Sequence, residues 1–351
     1  MRRQRTSFAL SERVGRFVLA LASAGACLLS CSDETANGSD ATAPGDPNTG
    51  PVRLSETGLY ADGVRSIAPS VLRFAPSHPL WADGAEKTRY LYLPPGSKVD
   101  TQDPDHWVFP VGTKAWKEFR VDGKLVETRF LWKRAATPGH ESWWKVAYVW
   151  LPDGSDAVAN VEGVRNALGT THDVPSQDDC AACHAYVKDT VIGFSAIELS
   201  RPESTSPARP ADTGRLLELS GRALFTNPPA ADFTVPGEGT GRDAVAYLHG
   251  NCGFCHNSRL EELTKRKIHF RLLVADRSVE QTGAYTTTFG TKAFHEIDGT
   301  TEVIVPGDPM KSQAYVRMVK TDDYRMPPKG TKLVDPAGSE LIRSWITGLA
   351  P

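Results

Sequence analysis

Residues 115–132 read AWKEFRVDGKLVETRFLW, two runs rich in aromatic and β-branched residues on either side of Asp122-Gly123. Such runs are typical of β-strands. An Asp-Gly pair between them is a strong signal for a tight hairpin, because both residues tolerate the positive φ angles that a two-residue turn requires. The sequence therefore predicts two antiparallel strands over 115–121 and 125–132.

More strand-like runs flank this hairpin, at 88–93 and 144–151. Seven of the eight tryptophans lie between Trp81 and Trp150. We expect an antiparallel sandwich or barrel-like sheet over 60–170. Its tryptophans would form either the core of a β-rich domain or a cleft for a sugar or a partner protein.

The N-terminus has the pattern of an export signal. Residues 1–16 carry five arginines against one acid, and 17–30 form an apolar stretch of 14 residues. A basic start followed by a short apolar region is typical of a secretory signal. The stretch ends at Cys31 in a sequence that resembles a bacterial lipobox, whose cysteine is lipidated; ordinary cleavage beside an unmodified cysteine is the alternative. The polar residues 32–55 would then act as a tether.

This pattern predicts a lipoprotein of the bacterial cell envelope, anchored in a membrane through its N-terminal lipid. Ser32 after the cysteine favours, by resemblance, the outer membrane, with the protein facing the periplasm or the cell surface. The net charge of −2 and the lack of a dense Lys/Arg stripe argue against a strongly basic nucleic-acid-binding protein. No apolar run is long enough for a transmembrane helix.

Two five-residue motifs carry the main chemical signal, Cys180–His184 and Cys252–His256. C-x-x-C-H is the attachment pattern of c-type haem, since two thiols one helical turn apart reach the two vinyl groups and the histidine reaches the iron. We expect two covalently attached c-type haems. The thioether residues would be Cys180, Cys183, Cys252 and Cys255, and the proximal iron ligands His184 and His256. A zinc site or two redox disulfides are the alternatives.

The region 241–351 predicts a helix leading into the second motif, a helix over 309–319 and a last helix that begins at Asp335-Pro336. With the Met-Pro-Pro loop at Met326, this order resembles the class I cytochrome c fold. The resemblance implies that Met326 is the sixth ligand of the second haem. A methionine packed in the core is the alternative role for Met326.

The second ligand of the first haem is left open by the sequence, because no methionine occurs between His184 and Met310. His172 and His249 are candidates, and both also suit a packing role. An open sixth position would let that iron bind a small ligand or peroxide.

These observations predict an α+β multi-domain chain, in which an antiparallel β-rich domain precedes a mostly α-helical, cytochrome c-like haem region. The expected segments are a signal peptide (1–30), a disordered tether (31–58), a Trp-rich β domain (59–172), a first haem segment (173–240) and a cytochrome c-like domain (241–351).

Several segments together resemble a bacterial di-haem cytochrome family that stands alone or is fused behind PQQ-type sugar dehydrogenases. They are Leu80–Ala85, Phe109–Thr113, Glu127–Arg129, Tyr148–Trp150, Cys180–His184, Tyr247–His256, Pro306–Pro309 and Arg325–Pro328. The resemblance implies electron transfer from a separate periplasmic dehydrogenase to a downstream acceptor, with redox proteins as partners. The chain is expected to be an electron carrier, and a role as a component of an oxidoreductase is left open. A di-haem peroxidase-like enzyme with an open first haem, or a carbohydrate- or partner-binding β module with accessory haems, are the alternatives.

Overall fold

Six antiparallel strands form one sheet in which the spatial order of the strands follows the order of the chain. The computed structural model describes residues 50–202 and 212–350, which belong to one compact unit. Every connection in the sheet joins neighbouring strands, so the sheet is a simple meander and not a sandwich. Its strands are β1 (Leu72–Phe74), β2 (Glu86–Tyr92), β3 (Lys114–Val121), β4 (Lys124–Lys133), β5 (Trp143–Trp150) and β6 (Ala157–Asn160).

The turn between β3 and β4 has the two-residue form that Asp-Gly favours. Asp122 and Gly123 have φ angles of 49° and 78°. Val121 and Lys124 close the hairpin as a pair, and the register shifts by one residue after Phe119. This bulge strengthens the local twist of β3 and β4.

One face of the sheet carries an aromatic core. Trp116 stacks on Phe130 with ring centroids 5.3 Å apart, and Trp144 meets Phe130 edge-on at 5.8 Å. Five of the seven clustered tryptophans are buried: Trp107, Trp116, Trp143, Trp144 and Trp150. They therefore pack in the interior rather than line an exposed groove.

The other face is covered by the chain that follows β6. Its apolar part is a second core, to which Leu91, Ala115 and Trp143 of the sheet belong together with Phe194 and Phe225. The backbones of Val99 and Phe225 also pair in parallel. This covered face positions the first C-x-x-C-H motif.

The helices of the described residues are short, apart from two. They are α1 (Ala181–His184), α2 (Ala196–Leu199), α3 (Leu216–Gly221), α4 (Gly239–Asn251), α5 (Ser258–Thr264), α6 (Gly283–Thr286), α7 (Gln313–Val316) and α8 (Pro336–Thr347). A small hairpin, β7 (Lys292–Ile297) and β8 (Thr300–Glu302), lies between α6 and α7. Across residues 50–202 and 212–350, no helix has the length and apolar character needed to span a membrane.

The predicted fold class is wrong. Instead of a mostly α-helical cytochrome c-like domain after a β-rich domain, residues 50–202 and 212–350 contain a six-stranded antiparallel sheet and are 22% strand and only 25% helix. In the region 241–351, helices α4 and α8 pack on one core, but turns, loops and the β7–β8 hairpin occupy most of the sequence between them.

The helix expected over 309–319 illustrates the physical reason. The chain forms a single 3₁₀ turn at Pro309–Lys311 and then α7, which has four residues. Ser312 interrupts the helix in an extended conformation, and its hydroxyl donates to the Asp308 carbonyl oxygen at 2.8 Å. A serine that bonds the nearby backbone competes with the helical hydrogen bonds.

Candidate functional site

The two C-x-x-C-H motifs lie against each other, although 67 residues separate them. The Cys255 Sγ is 3.7 Å from the carbonyl oxygen of Ala182, inside the first motif. A hydrogen bond between the thiols of Cys183 and Cys255 lowers the pKa of Cys183 and raises that of Cys255. All four motif cysteines are free thiols and only partly exposed. One surface of the protein thus presents two pairs of thiols side by side.

His184 ends the first motif with an oriented imidazole. Its Nδ1 lies 2.6 Å from the Thr190 carbonyl oxygen. Burial lowers the pKa of His184 to about 4, so the ring is neutral. In the neutral ring, Nδ1 donates to the carbonyl and Nε2 keeps its lone pair, which is the arrangement of a metal-ligating histidine held by a backbone acceptor.

Thr190 is held in turn by a buried ion pair at Asp189. Lys133 Nζ lies 2.5 Å from Asp189 Oδ2, and both side chains are fully buried. Trp143 Nε1 donates to Asp189 Oδ1 at 2.5 Å, and the Phe109 backbone N–H donates to Oδ2 at 2.8 Å. Asp189 therefore ties the loop that orients His184 to strands β4 and β5.

His256 ends the second motif and, like His184, is partly buried. Its backbone N–H donates to the Cys252 carbonyl at 2.8 Å, and its ring meets Phe270 edge-on at 5.5 Å. Burial, with Arg317 and Arg266 nearby, lowers the pKa of His256 to about 4. Its Nδ1 is buried without a hydrogen-bond partner. Two thiols and a neutral imidazole with an unused nitrogen fit the donor set that a c-type haem needs.

Two glycines allow close packing around the second motif. A Cβ at Gly250 would lie 2.2 Å from the His78 carbonyl oxygen, and one at Gly253 would lie 2.8 Å from the Cα of Arg271. Asn257 closes the motif, since its side-chain amide donates to the carbonyls of Gly253 and Phe254. The backbone here tolerates no larger side chain without movement.

The segment 80–85 joins the end of α4 to the loop that follows Met326. The Trp81 N–H donates to Asn251 Oδ1 at 2.7 Å. Asp83 accepts from the backbone N–H groups of Lys332 and Leu333 at 2.9 and 3.0 Å. These bonds connect Asn251, which precedes Cys252, to the segment 80–85. They connect the Met326 loop to the same segment.

Met326 is half-buried in that loop. Its N–H donates to the Arg317 carbonyl at 2.9 Å, and Arg317 is one of the residues whose charge acts on His256. Lys329 in the same loop pairs with Asp179, directly before Cys180, at 2.9 Å. The loop thus reaches both motifs.

The two histidines considered for the first haem are already engaged. His172 Nε2 lies 2.7 Å from Glu127 Oε2. His249 Nδ1 accepts from the Leu272 N–H at 2.9 Å, and its Nε2 lies 3.6 Å from Glu198 Oε1. Both side chains are buried and serve packing and hydrogen bonding.

A cleft of about 360 Å³ opens between the ends of the two motifs. Ala185 lines it on the side of the first motif and Arg259 on the side of the second, with His106 and His140 at its wall. This placement could not be predicted from the sequence, because neither His106 nor His140 belongs to a recognisable motif. His106 bonds Asp103 at 3.1 Å.

Cys31 and the other residues of the expected signal and tether up to residue 49 lie outside the described residues. Within 50–202 and 212–350, no three His, Cys, Asp or Glu side chains are grouped as ligands for a bare metal ion. No family model matches the sequence, and neither the curated proteins nor the solved structures contain a match.

Proposed function

We propose that the chain is a di-haem c-type cytochrome that transfers electrons in the bacterial envelope. The observation that carries the proposal is the contact between the two motifs, with Cys255 Sγ 3.7 Å from the Ala182 carbonyl. Two cofactors attached at touching motifs would be neighbours, which suits electron passage between them.

Each motif would hold one of the two cofactors. Cys180 and Cys183 would hold one haem and Cys252 and Cys255 the other, each pair through thioethers. His184 and His256 would ligate the irons through partly buried, neutral rings, and Met326 would be the second ligand at the His256 site. When bound, each haem supplies a one-electron Fe(III)/Fe(II) couple, and a histidine–methionine ligand pair raises its potential.

The protein would lie in the cell envelope and exchange electrons with separate proteins. A lipid at Cys31 would anchor the chain, at the outer membrane and facing the periplasm or the cell surface. A separate periplasmic dehydrogenase, of the PQQ type by resemblance, would donate electrons to it. The chain itself would then carry electrons rather than catalyse a reaction.

A peroxidase-like function is the second candidate, and two observations favour it. His172 and His249 each use a ring nitrogen in another hydrogen bond, and the cleft of about 360 Å³ adjoins the first motif. An accessible first iron would bind small ligands or peroxide.

Redox titration of the haem-loaded chain separates the two candidates. An electron carrier gives two reversible one-electron steps, no turnover of hydrogen peroxide, and no change in the reduced spectrum on adding carbon monoxide. Peroxide turnover with carbon monoxide binding at one haem would replace the carrier proposal with the enzymatic one.

A further inference from the structure

Three cations stand side by side on the covered face of the sheet. Arg89 on β2 pairs with Lys117 on β3, and Lys117 pairs with Arg129 on β4. Cross-strand partners point to the same face, with side chains about 5 Å apart. Like charges in such positions are destabilising, so this row has a cost that a bound anion would offset.

Lys117 is the middle residue of the row. Among the described residues its ammonium makes neither a hydrogen bond nor an ion pair, and its contact is the Phe119 ring, whose centroid lies 4.9 Å away. Arg129 is different, because Glu127 binds its guanidinium at 2.7 and 3.1 Å. Burial and the neighbouring arginines lower the pKa of Lys117 well below its usual value.

The first motif lies over this face. Just before it, the Gln177 side chain donates to the Lys145 carbonyl of β5 at 2.7 Å, and His172 bonds Glu127. Arg129 acts electrostatically on the thiols of Cys180 and Cys183. The row therefore begins with Arg129 near the thiols and extends across the sheet, away from them, to Arg89.

The direction of the row matches the shape of the cofactor. Adjacent strands are about 4.8 Å apart, so Arg89 stands about 10 Å across the sheet from Arg129. A haem attached by its vinyl edge carries two propionate carboxylates at its opposite edge. A carboxylate is the natural partner for guanidinium and ammonium groups in a half-buried site.

We propose that Arg89 and Lys117 form a carboxylate site that binds the propionates of the haem attached at Cys180 and Cys183. This inference rests on the proposed function. A free anion such as inorganic phosphate has the same chemistry and is the other source of an occupant.

The test uses the full, haem-loaded chain and begins with its haem content. Fewer than two haems in the wild-type chain overturns the proposed function, and this inference with it. With two haems present, Lys117→Met is compared with Lys117→Arg, which keeps the charge, and with Lys124→Met, at the exposed start of β4.

Loss of a positive charge beside the cofactor stabilises its oxidised form. We expect Lys117→Met to lower one of the two midpoint potentials and to shift the resonance Raman propionate bending mode of that haem. Lys117→Arg and Lys124→Met should leave both signals at their wild-type values. An unchanged potential and bending mode in Lys117→Met, with two haems attached, would overturn the inference.

Inorganic phosphate distinguishes the two sources of the anion. If propionates occupy the site, adding phosphate to the wild-type chain leaves both potentials unchanged. A phosphate-dependent shift that disappears in Lys117→Met would assign the site to a free anion and overturn the propionate assignment. If Lys117→Met does not fold, Arg89→Lys provides the same Raman readout, because it retains the charge but loses the bidentate geometry.

Discussion

His184 Nδ1 and the Thr190 carbonyl oxygen are 2.6 Å apart, and this bond fixes which nitrogen of the ring is free. The carbonyl belongs to a loop anchored at Asp189 by the buried pair with Lys133. The orientation of His184, a candidate iron ligand, thus depends on the buried ion pair between Asp189 and Lys133. Replacing that pair tests the dependence.

Asp189→Asn should strongly destabilise the protein. The Lys133 ammonium would remain fully buried without a counter-charge, and removing one partner of a buried ion pair costs about 3–5 kcal/mol. Chemical denaturation measures the loss. Asp122→Asn, in the exposed β3–β4 turn, is the matched control and should change the free energy of unfolding little. Adding Lys133→Met to Asp189→Asn should recover part of the loss, and no recovery would contradict the account.

Gly250→Ala should destabilise the packing around the second motif. The new methyl group would lie 2.2 Å from the His78 carbonyl oxygen, so the backbone must shift. Overpacking of this kind costs about 1–3 kcal/mol. Gly221→Ala serves as the control, because a Cβ there meets nothing within 4 Å and alanine favours a helix by about 0.5–1 kcal/mol. Equal thermal stability of the two variants would contradict the packing described at Gly250.

Glu127→Gln should remove part of the acid dependence of stability. Burial alone would raise the pKa of Glu127, but Arg129 and His172 outweigh it and hold the pKa below its usual value. A carboxyl with a lowered folded-state pKa stabilises the protein above its unfolded pKa of about 4.3, and the contribution is lost as the pH falls through the folded value.

The free energies of unfolding of wild type and Glu127→Gln should therefore differ most above pH ~5 and converge in stronger acid. Glu86→Gln, at the exposed start of β2, is the control and should follow the wild type at every pH. A constant difference between wild type and Glu127→Gln across the acid range would show that the ionisation of Glu127 contributes nothing.

Met326→Ala should keep both haems attached and lower one midpoint potential, since a methionine ligand raises the potential of a haem iron. Spectroelectrochemical titration measures the change. Met310→Ala is the control, because the Met310 side chain is 66% exposed. A Met326→Ala chain with wild-type potentials would remove Met326 as a ligand.

The main strands of the sheet could be predicted from the sequence because residue patterns within each strand and turn specify them. Asp122 and Gly123 adopt the positive φ angles that the pair predicts, and the strands lie where aromatic and β-branched residues concentrate. The last helix is similar, since Asp335 caps it by accepting from the Gly338 N–H at 3.0 Å. A capping residue and a following proline act within one turn.

The prediction of a cytochrome c-like fold was wrong because it depended on the structure of the segments between the helices. The Ser312 hydroxyl ends a helix that composition alone allows. The role of Thr190 could not be predicted either. Thr190 acts through its backbone carbonyl, and a residue of any type has this group. The contact between Cys255 and Ala182 joins residues 73 positions apart, and the sequence specifies it only through the packing of the whole chain.

The most direct test of the central claim is the haem-to-protein ratio from a reduced pyridine haemochrome spectrum, on the chain co-expressed with haem-maturation machinery. The account predicts two c-type haems per chain, and one in the variants that replace both cysteines of either motif with alanine. A wild-type chain with no covalent haem would contradict it and leave the four thiols to another chemistry.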